Sequence, residues 1–157
     1  MARDPVEAQR EFYASRSHAH LQPQATDVYS ARLVARLVDE MGITPGARVL
    51  EVGAGFGRFT FELLKHCESL VALDLSEAAL ARLVEARDDR GVSPERCRPH
   101  CADLQQLSVD AVGGPFDFVV GFFILHHLPD YHGAIARLAP CLETGGRMAF
   151  VEPNRRN

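Results

Sequence analysis

Three glycines at alternate positions, Gly53, Gly55 and Gly57, follow an apolar run that ends in Glu51, within the stretch "VLEVGAGFGRFT". Glycine permits positive φ and lets a backbone approach a ligand closely. A helix starting after such a turn would add unpaired N–H groups and a positive dipole end. Two carboxylates close later apolar runs, Asp74 in "LVALDLS" and Asp103 in "CADLQQL". Each offers two acceptor oxygens to a ligand, or serves only to begin the next turn. The adjacent pair His126 and His127 in "FILHHLPD" supplies imidazoles, whose ordinary pKa of about 6.5 suits proton removal at neutral pH.

A glycine-rich turn from strand to helix is common to several ligand classes. The dinucleotide fingerprint is G-x-G-x-x-G or G-x-G-x-x-A. Here its last position is Arg58, whose bulk opposes the close helix–strand packing that the fingerprint exists to allow. A nicotinamide-dependent oxidoreductase is therefore the weaker reading.

The spacing G-x-G-x-G after an acid-terminated apolar strand resembles the first motif of the class I S-adenosylmethionine-dependent methyltransferases. Glu51, Gly53, Gly55 and Gly57 match it position by position. The resemblance implies that Glu51, Gly53, Ala54, Gly55 and Gly57 surround the methionine part of the cofactor. It places the ribose hydroxyls at Asp74 and Leu75, and adenine at Ala102, Asp103 and Leu104. "FDFVVGFFILHHLPD" is similar to the fourth-strand motif of a small-molecule branch of that family, agreeing at Phe116, Asp117, Val119, Leu125, His126, His127 and Asp130. Gly121 and Phe122 stand where that strand meets the cofactor, and leave a backbone carbonyl contact there. The cofactor implied is S-adenosylmethionine, with S-adenosylhomocysteine as product.

Methyl transfer from a sulfonium is an in-line displacement, so positioning and exclusion of water do most of the work. His126 and His127 are candidates for a catalytic base or for orienting a small-molecule acceptor. The alternative is that one packs beneath the cofactor while the other faces the core or caps the next helix. Of the acidic metal ligands that metal-dependent relatives collect here, the sequence has only Asp130 nearby, so no catalytic metal is expected.

These residues need a parallel sheet to position them. Apolar spacing predicts a helix from about Thr26, its cap, to Met41, with Gly42 as its stop. Strands follow as "RVLEV", "LVALDL", "RPHCA", "FDFVVGFF" and "GRMAFVE". Helices are expected at 58–67, at 76–90 after a Ser76 cap, and at 131–142, with Pro140 ending or kinking the last. Gly145 and Gly146 are expected to turn into the fifth strand. The alternation predicts an α/β fold, a Rossmann-like doubly wound parallel sheet in order 3-2-1-4-5. Residues 1–25 read as a lid segment holding Phe12, Tyr13, His18 and His20, with Tyr29 nearby and Tyr13 as a cofactor contact, and 26–157 as the cofactor-binding domain.

The 157 residues suffice for one domain with a real core. A net charge of −4 argues against a grip on nucleic acid or an anionic membrane, and no apolar run is long enough to span a bilayer. The opening twenty residues contain acidic residues and lack an apolar core segment, so they fit neither a secretory signal nor an acid-poor transit peptide, which points to the cytoplasm. The terminal "NRRN" reads as a solvated tail. Cys67, Cys97, Cys101 and Cys141 form no C-x-x-C pair, and "CRPHC" reads either as an unfinished zinc site or as a buried strand.

The family's usual C-terminal antiparallel hairpin has no counterpart after "VEPNRRN". The expectation is a truncated methyltransferase that keeps cofactor binding and loses turnover, or acts as a binding module without catalysis. The exposed fifth-strand edge would then invite pairing with a second copy.

Overall fold

The structure is a computed structural model, and it describes residues 27–154 together with Glu7, Ala8 and Glu11. Tyr13, Phe12, His18, His20 and Thr26 lie outside the described residues, as do the two terminal arginines.

Helix α1 spans Val28–Met41. Its cap is Asp27, one residue beyond the expected Thr26, and the Asp27 carboxylate accepts the Ser30 N–H at 3.0 Å. An aspartate both satisfies an orphan N–H and complements the helix dipole. Gly42 stops the helix in the left-handed region at φ 69°. Of the apolar residues at helical spacing, Val34, Leu37 and Met41 are buried and Val38 is partly buried against the same cluster.

Five parallel strands follow: β1 (Arg48–Val52), β2 (Ser69–Asp74), β3 (Cys97–Cys101), β4 (Phe116–Phe122) and β5 (Leu142–Val151). Their order is β3-β2-β1-β4-β5, as expected, so chain direction across the sheet reverses beside β1. The connecting helices are α2 (Thr60–Leu63), α3 (Glu77–Asp89), α4 (Val109–Val112) and α5 (Tyr131–Leu138). Two apolar clusters cover the two faces. Val49 of β1 joins Val34, Leu37 and Leu83 on one, while Leu50 and Val52 join Val112, Ala134 and Leu138 on the other. This is the period-2 alternation of a strand buried on both sides.

Three expectations need correction. The helix after the glycine turn was expected over 58–67, but α2 has four residues. Phe59 gives it no side-chain cap, and beyond it Lys65 and His66 bond to carbonyls only three residues back, closing tight turns. The helix expected to reach Leu142 ends at Leu138, and Pro140 lies in a 3-10 turn over Ala139–Cys141. Gly145 and Gly146 do not precede β5 but lie inside it. There Leu142 pairs with Phe116 and Arg147 with Phe118, so β5 bulges, and Gly145 absorbs the bulge at φ 85°. Finally, "CRPHC" is the strand reading: β3 is extended, which puts Cys97 about 13 Å from Cys101, too far to share a zinc ion. Cys97 is buried, and burial pushes its thiol up to about 12.

Candidate functional site

A cleft opens at the carboxyl ends of β1, β2, β3 and β4, where open parallel sheets bind ligands. It is lined by residues from the ends of all four strands and from the loops that follow them.

Its floor is the glycine turn. Gly53, Gly55 and Gly57 all have positive φ, at 73°, 55° and 88°, but their surroundings differ. A methyl on Gly55 would meet nothing within 4 Å, so the backbone there lies open to the cleft. At Gly57 it would stand 2.8 Å from the Phe61 ring and 3.2 Å from Leu83. Gly57 therefore serves helix packing and does not line the cleft.

Asp74 ends β2 beside this turn. Its Oδ2 accepts the Gly55 N–H at 2.8 Å and its Oδ1 accepts the Ser76 N–H at 2.9 Å. Burial pushes the carboxyl above its ordinary pKa, while the N–H groups of Ser76, Gly55 and Leu75 pull it back. A carboxylate has about four acceptor positions, so the bonds from Ser76, Gly55 and Leu75 still leave acceptor capacity for a ligand hydroxyl. Glu51 is only 1% exposed and stays beneath the turn, where it accepts the Thr60 hydroxyl at 2.6 Å. Burial pushes it up to about 8, with the Thr60 bond opposing and the nearby Asp74 charge reinforcing the shift.

Ala102, Asp103 and Leu104 form the next wall. Asp103 caps the 3-10 turn Leu104–Gln106, with Oδ1 accepting the Gln105 N–H at 2.8 Å. It thus does what a turn-capping aspartate does while also facing the cleft.

The far wall is aromatic. Phe59 stacks on Phe122 at 4.3 Å between centroids and meets Phe123 at 5.9 Å. Phe123 sits at φ 55°, a conformation rare for a bulky side chain. Beyond it the chain makes a 3-10 turn over Leu125–His127. His127 lines the cleft and His126 does not, their rings lying 4.0 Å apart. Burial, then the neighbouring His126, hold His127 below the ordinary histidine range, with Glu152 opposing. Asp130 caps α5 through the Gly133 N–H at 2.8 Å.

Arg58 supplies a guanidinium to the wall, but its Nε is engaged by Asp27 Oδ2 and Ser30 Oγ, each at 2.9 Å. The group also lies over the Tyr29 and Phe59 rings. Burial alone would raise the Asp27 pKa; the bonds from Ser30 and Arg58 outweigh it and hold the carboxyl at about 2. The bulky residue that spoils the dinucleotide fingerprint thus ties the glycine turn to the start of α1.

Residues 50–148 match the sequence profile of the methyltransferase domain family. The chain belongs to the class I S-adenosylmethionine-dependent methyltransferases. It is 34% identical over 121 residues to the aklanonic acid methyltransferase DauC of Streptomyces sp. (strain C5), covering 75% of this chain and 53% of that protein. It is 30% identical over 118 residues to the ubiquinone biosynthesis O-methyltransferase of Hahella chejuensis, covering 75% and 48%. The chain thus spans about half the length of the curated relatives it matches. The N-methyltransferase NodS from Bradyrhizobium japonicum WM9, solved with S-adenosylhomocysteine, superposes with a TM-score of 0.71 at 22% identity, over 94% of this chain and 72% of that one.

In this member of the family the cleft brings together Gly53, Ala54, Gly55, Asp74, Leu75, Ala102, Asp103, Leu104, Phe122 and His127. Glu51, Gly57, Gly121 and His126 lie off its wall. Gly121 instead keeps β4 close to β5, since a methyl there would stand 2.6 Å from Phe150. Sequence reasoning missed Phe56, Phe59 and Phe123 on the wall, and Leu128 and Pro129 beyond the histidines. The last two lie inside the quoted "LHHLPD" and carried a signal; the phenylalanines read only as core.

Proposed function

We propose that the cleft binds S-adenosylmethionine and presents its methyl group to a small-molecule acceptor on the His127 side. The observation that carries this reading is the chemistry of the lining: Asp74 bonded to Gly55, Asp103 beside it, and an aromatic wall opposite. Carboxylates and ring faces favour a cationic ligand and oppose a pyrophosphate. The four-residue α2 adds no helix N-terminus of consequence for a phosphate.

Asp74 would hold the ribose hydroxyls, Asp103 the exocyclic amine of adenine, and the open backbone at Gly55 the methionine part. When bound, the cofactor supplies a methyl group already activated on sulfur. Phe59, Phe122 and Phe123 exclude water from that end of the cleft, where exclusion strengthens every polar contact. His127, a neutral imidazole, would take the acceptor's proton on its unprotonated ring nitrogen. Residues 1–25, with Tyr13, would close over the cleft as a lid, with 26–157 as the cofactor-binding domain. A second copy along the outer edge of β5 is the protein partner that this reading allows, since β5 ends the sheet. Among the described residues no helix is long and apolar enough to cross a membrane; with the net charge of −4 this supports a cytoplasmic enzyme that handles no nucleic acid.

Incubation with methyl-labelled S-adenosylmethionine and a panel of phenolic, carboxylic and amine acceptors tests the reading by mass spectrometry. Label is expected in an acceptor, and His127→Ala is expected to reduce transfer. S-adenosylhomocysteine binding without transfer to any acceptor would overturn catalysis and leave a binding module.

A further inference from the structure

Glu152 follows β5 directly and engages three donors with one carboxylate. Its Oε1 accepts the N–H groups of Ile124 at 2.9 Å and Leu125 at 2.8 Å, and its Oε2 lies 2.6 Å from His126 Nδ1. These groups open the 3-10 turn that follows Phe123, whose positive φ is a strained conformation for a bulky residue. The same turn carries Ile124, His127, Leu128 and Pro129 into the cleft wall.

We propose that Glu152 is a positioning residue: it clamps the turn that forms the acceptor side of the cleft and holds the His126 proton on Nδ1, leaving Nε2 as the basic nitrogen. This rests on the reading that the His127 side of the cleft receives the acceptor. An ionised carboxylate only accepts hydrogen bonds, so the imidazole nitrogen facing it must donate. Burial alone would raise the Glu152 pKa, but the bonds from His126, Leu125 and Ile124 outweigh it and keep the group ionised. The titratable groups facing the His126 ring are Glu152 from the end of β5 and His127 from its own turn. The His126 ring lies 4.0 Å from that of His127, so fixing His126 also fixes the neighbour of the imidazole that lines the cleft.

Glu152→Gln tests the assignment without changing side-chain size. Glutamine keeps a carbonyl oxygen for the two backbone N–H groups but presents an NH₂ to His126, which forces the neutral ring to carry its proton on Nε2. Long-range nitrogen–proton correlation spectra of the full chain, recorded above the ordinary imidazole range, read the tautomer directly. The expected result is Nδ1–H in the wild type and Nε2–H in Glu152→Gln. An Nε2–H ring in the wild type, or the same tautomer in both proteins, overturns the proposal. Should the variant not fold, the wild-type tautomer alone decides. A parallel titration of the wild type with S-adenosylhomocysteine separates the two readings: absence of binding overturns the cofactor assignment, while the tautomer still judges Glu152.

Discussion

The carboxylate of Asp74 and the backbone N–H of Gly55 are joined at 2.8 Å, so the end of β2 and the open glycine of the turn form one rigid corner of the cleft. In the reading developed above this corner holds a ribose. Asp74→Ala removes both the corner and the charged acceptor, and is expected to weaken S-adenosylhomocysteine binding by about 1–3 kcal/mol. Calorimetric titration checks this, and unchanged affinity would refute the ribose assignment.

Glu51 makes stability depend on pH. Its folded pKa of about 8 lies above the ordinary 4.5, so the folded state binds the extra proton between those values. Its contribution is complete below about pH 4.5 and is lost as pH climbs through 8. Urea midpoints of the wild type should fall over that range, by on the order of a few kcal/mol in stability. Glu51→Gln, which still accepts the Thr60 hydroxyl, should flatten the profile. Parallel profiles for the two proteins would contradict the assignment.

Gly55 and Gly57 separate binding from folding. Alanine at Gly57 faces both a positive φ and the Phe61 and Leu83 side chains, and should destabilise by about 2–4 kcal/mol. Alanine at Gly55 faces the positive φ alone, costs about 1–2 kcal/mol, and puts a methyl into the cleft. Denaturation and titration of both variants should show the larger stability loss at Gly57 and the larger affinity loss at Gly55.

The Asp27–Arg58 pair joins α1 to the glycine turn at 2.9 Å, with each side chain about four-fifths or more buried. Asparagine at Asp27 keeps the cap and removes the charge, so a double-mutant cycle with Arg58→Gln isolates the link. A coupling of about 1 kcal/mol is expected. Additive losses would show that the contact contributes nothing to holding the turn.

The strand order and the acids at strand ends were legible because they depend on local features: apolar runs, a glycine triplet, and a carboxylate where each run stops. Asp74 and Asp103 therefore lie on the cleft as their position implied. Glu51 and Gly57 were legible as members of the motif but not by role, since only packing reveals that one faces Thr60 and the other Phe61. Contacts between distant segments left no local trace. Arg58 meets a residue 31 positions earlier, and Glu152 meets a turn 26 to 28 positions earlier. The bulge at Gly145 was hidden because it is set by what β5 pairs with across the sheet, and the shortness of α2 because the tight turns at Lys65 and His66 leave no mark on an apolar pattern of helical spacing.

The central claim is that the cleft takes a sulfonium nucleoside and not a dinucleotide. Calorimetric titration of the wild-type chain with S-adenosylhomocysteine, and separately with NAD, tests it most directly. The account predicts saturable one-site binding of S-adenosylhomocysteine and none of NAD. Binding of NAD without S-adenosylhomocysteine would contradict it.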